Sequence, residues 1–149
     1  MCMSKYNSTL AVLRRNKRAI TVNEGSKYQQ IMCKYSQLSE ALPQSFVDEF
    51  DLSEQAELGI EECGSHNEIK MHTDAVGGRR SNLLINVGTS VATVYHSNND
   101  VLETVNIKPD EHFLLDTKKQ HGCNNTTDLD WTFLTINWRK HYNELQHRF

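Results

Sequence analysis

Ile69-Lys70-Met71-His72-Thr73-Asp74 is the stretch around which the chain is organised. An apolar/polar alternation runs into a histidine, and a carboxylate follows two residues later. Residues two apart in extended backbone point to the same side, so His72 and Asp74 can reach a single ion. Alone the pair says little, because short polar pairs at strand ends also make turn hydrogen bonds and nothing else. Its meaning depends on what the surrounding chain supplies.

Outward from that stretch, the periodicity from about residue 56 onward is two. Residues 56–62 and 68–72 read as strands joined by the turn Gly64-Ser65-His66-Asn67. Gly77-Gly78 separates the His-x-Asp pair from an apolar strand at 81–87, and a strand at 91–96 contains the β-branched and aromatic Thr93-Val94-Tyr95. The turn Ser97-Asn98-Asn99-Asp100 leads to a strand at 101–107, and Lys108-Pro109-Asp110-Glu111 to one at 113–116. His121 comes next, then a loop at 124–128 and a last strand from Trp131 to Trp138. Such spacing of roughly eight short strands predicts a mainly β fold, a sandwich or jelly roll with helices on its N-terminal side.

The N-terminal third reads differently. Apolar residues 10–13 and 19–22 flank the basic run Arg14-Arg15-Asn16-Lys17-Arg18, which suits a hairpin with a solvated tip. Tyr28, Ile31, Met32, Tyr35 and Leu38 recur at three- and four-residue intervals and predict a helix over 26–41 with Ser26 as its N-cap. Pro43 ends it and starts a second helix carrying Phe46, Val47 and Phe50. The expected organisation is one domain over 1–149, with a hairpin and helical support at 1–55 and the β core at 56–139.

The 149 residues carry a net charge of −3, which gives no electrostatic reason to expect a nucleic-acid partner. Cys2, Cys33, Cys63 and Cys123 have no framework spacing, so reduced thiols are expected. No apolar run reaches membrane-spanning length, and the first ten residues do not resemble a secretory signal; the chain reads as cytoplasmic, with no membrane partner.

Two histidines and a carboxylate on one face of a metal leave the opposite positions open, the arrangement that suits Fe(II) oxygen chemistry. His72, Asp74 and His121 meet it, and a jelly roll folds back so that they converge. The other histidines, His66, His96, His112, His141 and His147, read as exposed or core-edge residues. A zinc site from Cys63, His66 and His72 is the alternative that the Cys-x-x-His spacing offers.

At this point the sequence resembles the 2-oxoglutarate- and Fe(II)-dependent oxygenases, in particular the small branch similar to aspartyl/asparaginyl and prolyl hydroxylases. The resemblance spans about 56–139 and rests on several features in order. They are His72-Thr73-Asp74, Arg79-Arg80-Ser81-Asn82-Leu83-Leu84-Ile85-Asn86, Pro109-Asp110 before Phe113-Leu114-Leu115-Asp116, and His121 followed by Asn125 and the strand 131–138. It implies a double-stranded β-helix, Fe(II) held by His72, Asp74 and His121, 2-oxoglutarate as co-substrate and dioxygen as oxidant, with hydroxylation of a small-molecule, peptide or protein substrate as the outcome.

One position departs from the family pattern. The basic residue expected about ten positions after the distal histidine, to pair with the 5-carboxylate of 2-oxoglutarate, falls at Trp131. Arg80 or Arg79 can supply that charge, since a guanidinium matches a carboxylate bidentately, but neighbours in a strand face opposite sides and only one can do so. Arg139 is a more distant candidate. Asn82 and Tyr95 are the further pocket residues, and Trp131 and Trp138, seven apart, fall on opposite faces of their strand. An open site and an exposed sheet face are compatible with a homodimer.

Overall fold

Fourteen elements follow one another along the described residues: α1 (Asn7–Arg15), β1 (Ile20–Val22), β2 (Gln29–Lys34), α2 (Tyr35–Leu38), α3 (Gln44–Phe50), β3 (Glu57–Cys63), β4 (Asn67–His72), β5 (Ser81–Asn86), β6 (Ala92–Asn98), β7 (Val101–Ile107), β8 (His112–Asp116), β9 (His121–Asn125), β10 (Trp131–Trp138) and α4 (Tyr142–Leu145). The structure, a computed structural model, describes residues 4–16, 20–22, 29–38, 40–52, 56–73, 80–139, 142–146 and 148–149. Asp74, Gly77, Gly78 and Arg79 lie outside them, as do Ser26, Tyr28, His141 and His147.

All strand pairs are antiparallel and form two sheets, β1-β2-β3-β10-β5-β8 and β4-β9-β6-β7. From β3 onward the chain alternates between the sheets, apart from the β6–β7 hairpin, and β10 inserts between β3 and β5. That connectivity is the double-stranded β-helix, or jelly roll, expected from the strand spacing. The hairpin turns on Asn99 and Asp100, both at positive φ (48° and 66°), as a two-residue type I′ turn requires. Among the described residues no helix is long and apolar enough to cross a membrane.

Two N-terminal expectations are overturned. Residues 10–13 lie in α1, not in a strand: Thr9, Leu10, Val12 and Leu13 are its buried residues, a helical face that a run of apolar side chains disguises. Residues 29–34 are not helical but form β2, an added strand of the first sheet in register with β3 from Gln29↔Glu62 to Lys34↔Glu57. The three- and four-residue spacing that suggested a helix straddles the junction of β2 with the single turn α2. Pro43 does precede a helix, and Phe46 and Phe50 are its buried residues. Downstream, β9 takes Asn124 and Asn125 out of the expected loop, and α4 follows the last strand.

Alternation along β10 divides the hydrophobic residues into two clusters. Leu134, Ile136 and Trp138 face the helices, where they meet Leu58, Ile60, Leu83, Ile85, Leu13, Phe46 and Phe50. Trp131 and Phe133 face the second sheet and pack with Leu84, Leu115, Val94, Ile107 and Cys123. The two tryptophans thus take opposite faces, and both are buried. The helical layer is aromatic-rich, with Phe50 close, centroid to centroid, to Phe46 (5.0 Å), Tyr6 (5.9 Å) and Phe149 (6.0 Å).

Candidate metal centre

The ends of the sandwich follow from the β3–β4 turn. Cys63 and Asn67 flank that turn at one end, so Glu57 and His72 mark the other. Strict alternation from Ile69, which packs against the inner cluster, would leave His72 on the outside. The structure avoids this with a register shift. Ile69 pairs with Cys123 and His72 with His121, so two residues of β4, Lys70 and Met71, oppose the single Gly122 of β9. The extra residue is a β-bulge, and it re-aims His72 to the side of His121.

Gly122 makes room for the bulge. A Cβ at that position would lie 2.6 Å from the Ile69 carbonyl oxygen and 3.1 Å from both Lys70 C and Met71 N, all backbone atoms that cannot swing away. The result is a pair of imidazoles with ring centroids 4.4 Å apart. His72 Nδ1 lies 2.7 Å from the Lys70 carbonyl oxygen and His121 Nδ1 2.8 Å from that of Lys119. Because a carbonyl only accepts, each Nδ1 carries a hydrogen and donates it, which fixes the orientation of both rings. Metal-binding histidines are commonly oriented in this way.

Among the described residues no group of three or more His, Cys, Asp or Glu side chains is arranged to hold a metal ion. The histidine pair is present, and Asp74, two positions beyond it, lies outside the described residues. Arg79 does too. Arg80 is exposed at the entrance to β5, where its backbone N–H donates to the Trp138 carbonyl at 2.9 Å; alternation gives it the same side as Asn82. Asn82 is buried on the inner face. Tyr95 alternates with the inward Val94 and His96 and stands half-buried on the outer face of the second sheet, so it does not line the interior. Trp131, at the start of β10, is buried at the end of the sandwich opposite the histidines, with no partner for its indole N–H.

The zinc alternative does not assemble. His66 sits in the β3–β4 turn with its Nε2 2.6 Å from Asp128 Oδ1, a whole strand away from His72, while Cys63 is buried in the inner cluster with its Sγ 3.4 Å from the Asn67 carbonyl. His112 belongs to the aromatic layer beside Phe50 and Phe149.

His96, set aside in the sequence, is part of the site end. It pairs directly with His121 across β6–β9, so His72, His121, His96 and Glu103 form one cross-strand row on the second sheet. On the first sheet Glu57, Asn137, Asn82 and Leu115 form the corresponding row at the same end. The rows face each other across the interior. Burial depresses the His96 pKa, aided by the positive charge of Lys119, so the imidazole is neutral near pH 7. Its signal in the sequence is its parity with the inward Val94, two residues before it.

No family model matches the sequence, and no curated protein matches it. Solved structures do. A Lactobacillus farciminis oxalate decarboxylase (formate complex) superposes with a TM-score of 0.59 at 14% identity, and vicilin from Corylus avellana (hazelnut) with 0.58 at 15%. The fold is that of the cupins. The chain's match covers 83% of its own length but only about a third of those two chains, 32% and 31%. The plu4264 protein of Photorhabdus luminescens is matched over 87% of both chains, with a TM-score of 0.52 at 13% identity. These neighbours include a decarboxylase and a vicilin, so the likeness establishes architecture and leaves the chemistry to the residues.

Proposed function

We propose that this cupin-like jelly roll is a mononuclear metal-dependent enzyme, an Fe(II)- and 2-oxoglutarate-dependent dioxygenase that hydroxylates a small-molecule or peptide substrate. The observation that carries the reading is the His72–His121 pair, brought to one face by the bulge and oriented by its two carbonyl hydrogen bonds. Two imidazoles on one side of the sheet fit a divalent ion of intermediate softness, and Asp74 would complete a facial set. Iron bound there would supply the oxidising chemistry, with 2-oxoglutarate as electron donor.

The chain's own residues have distinct tasks. Lys70 and Lys119 carbonyls hold the two rings in orientation. The apolar layer of Val94, Leu84, Phe113 and Leu115 beneath the histidines keeps water from the inner side of the site. Arg80 at the rim is the described residue best placed to meet a carboxylate entering from solvent. Anaerobic titration with Fe(II) and 2-oxoglutarate tests the reading directly: a weak visible charge-transfer band in the wild type and none in His72→Ala is expected, with conversion of 2-oxoglutarate to succinate in air. Failure to bind Fe(II) and the keto acid together overturns it.

A second reading has its own observation. Where the family pattern expects a cation there is the buried Trp131, packed in the inner cluster. A cupin-like protein that binds another divalent ion and a less charged ligand fits that interior. The same titration separates the two, since Mn(II) or Zn(II) binding without a keto-acid band favours the second.

A further inference from the structure

Among the described residues four buried asparagines line the inner faces of the sandwich, and they fall into two classes. Asn86 donates to the Ser90 and Ile107 carbonyls at 2.8 and 2.7 Å and accepts from the Gly88 N–H at 2.9 Å. Asn125 donates to the Cys63 and Leu129 carbonyls at 3.0 and 2.8 Å and accepts from Thr127. Both amides are saturated, and both lie at the end of the sandwich away from the histidines. They are built into the structure.

Asn82 and Asn137, directly paired across β5–β10 at the histidine end, are not. Asn82 Oδ1 and Asn137 Nδ2 are buried with no hydrogen-bond partner, and so are Thr135 Oγ1, two residues before Asn137 on the same face, and both ring nitrogens of His96 opposite. Relative exposures are 7% for Asn82, 3% for Asn137, 0% for Thr135 and 4% for His96, so bulk solvent does not satisfy these atoms. Buried polar groups normally find partners. Four that do not, gathered at one end of one interior and facing each other, describe a place for an absent polar group.

We propose that Asn82, Thr135, Asn137 and His96 form an uncharged cradle that binds a carboxamide, or a group of the same hydrogen-bonding character, on a small ligand entering beside the histidine pair. The proposal deepens the metal-site reading by naming the ligand chemistry of that site. An acceptor without a donor and a donor without an acceptor ask for a ligand group that does both. A carboxylate only accepts, and burying it on these neutral groups leaves its charge uncompensated. Rotating the Asn82 amide would turn both asparagines into donors and favour a carboxylate instead, so the choice is open to measurement.

The probe pair is glutaramide and glutarate, alike in shape and different in charge. Binding is measured on metal-free protein by the shifts of the Asn82 and Asn137 side-chain amide resonances, so that loss of the metal site leaves this result untouched. Glutaramide is expected to move both resonances, and Thr135→Val, which keeps the shape and removes the hydroxyl, to weaken its apparent Kd tenfold or more. Glutarate binding at the same resonances with equal or higher affinity overturns the proposal. Resonances that stay still with glutaramide also overturn it and leave ordered water as the occupant. The wild-type spectra decide the matter even where a variant folds poorly.

Discussion

A β-carbon on Gly122 would stand 2.6 Å from the carbonyl oxygen of Ile69, and that single close approach links the β9 backbone to the bulge that turns His72 inward. Gly122→Ala therefore acts at a distance from any metal-binding atom. It is expected to destabilise the fold by about 1–3 kcal/mol through overpacking and to slip the His72–His121 register. Metal titration of the folded variant should show at least a tenfold loss of affinity, although both histidines are still present.

His72→Ala is the complementary experiment. His72 is exposed, so its removal should change the melting temperature of the metal-free protein little, within about 0.5 kcal/mol. In the wild type, a divalent ion at 100 times its Kd adds about 2.7 kcal/mol of stability by mass action. Melts with and without Fe(II), Mn(II) or Co(II) should show that increment in the wild type and lose it in the variant.

The two classes of asparagine differ in stability as well as in binding. Asn86→Ala strips three hydrogen bonds from the backbone, one buried and two part-buried, and should cost about 1–3 kcal/mol for each buried group left unsatisfied. Thr135→Val removes a hydroxyl with no partner and should be neutral or stabilising. Denaturant melts of the two variants test the opposite signs.

Alkaline pH should reach the helical layer first. Burial, with the hydrogen bond to Glu49 (2.6 Å) and that carboxylate's charge, raises the Tyr6 pKa well above its ordinary value near 10. A folded-state pKa above the unfolded one means that the unfolded chain releases the proton first. The stability is full below about pH 10 and falls as pH rises beyond it. Tyr6→Phe should flatten that fall in thermal melts taken from pH 8 to 11.

Much of the β region was legible because period-two alternation and turn residues are local signals. The 131–138 strand was read with its structural bounds, and the hairpin at Asn99-Asp100 follows from residues that tolerate positive φ. The N-terminal errors arose where local signals mislead. Residues 29–34 are a strand because β3 offers them an edge, a fact of tertiary pairing that no window of sequence contains. His72 and His121 were legible as residue types, but their meeting depends on a one-residue bulge that alternation alone contradicts. The glycine inside β9 was the available clue. Alternation along β6 gives His96 the face of Val94 and Tyr95 the opposite one, a parity that is local to the strand.

β10 is the last strand of the sandwich in sequence and yet lies between β3 and β5, hydrogen-bonded to both. Until Trp138 has left the ribosome, β3 and β5 face a gap, and neither the sheet nor the asparagine row can close. The asparagine row is thus acquired late, with loop closure across some seventy residues, Cys63 to Trp131, as the slow search. A nascent chain stalled before that strand would expose two apolar edges side by side, which makes the interval before β10 docks the one in which this protein most needs a chaperone.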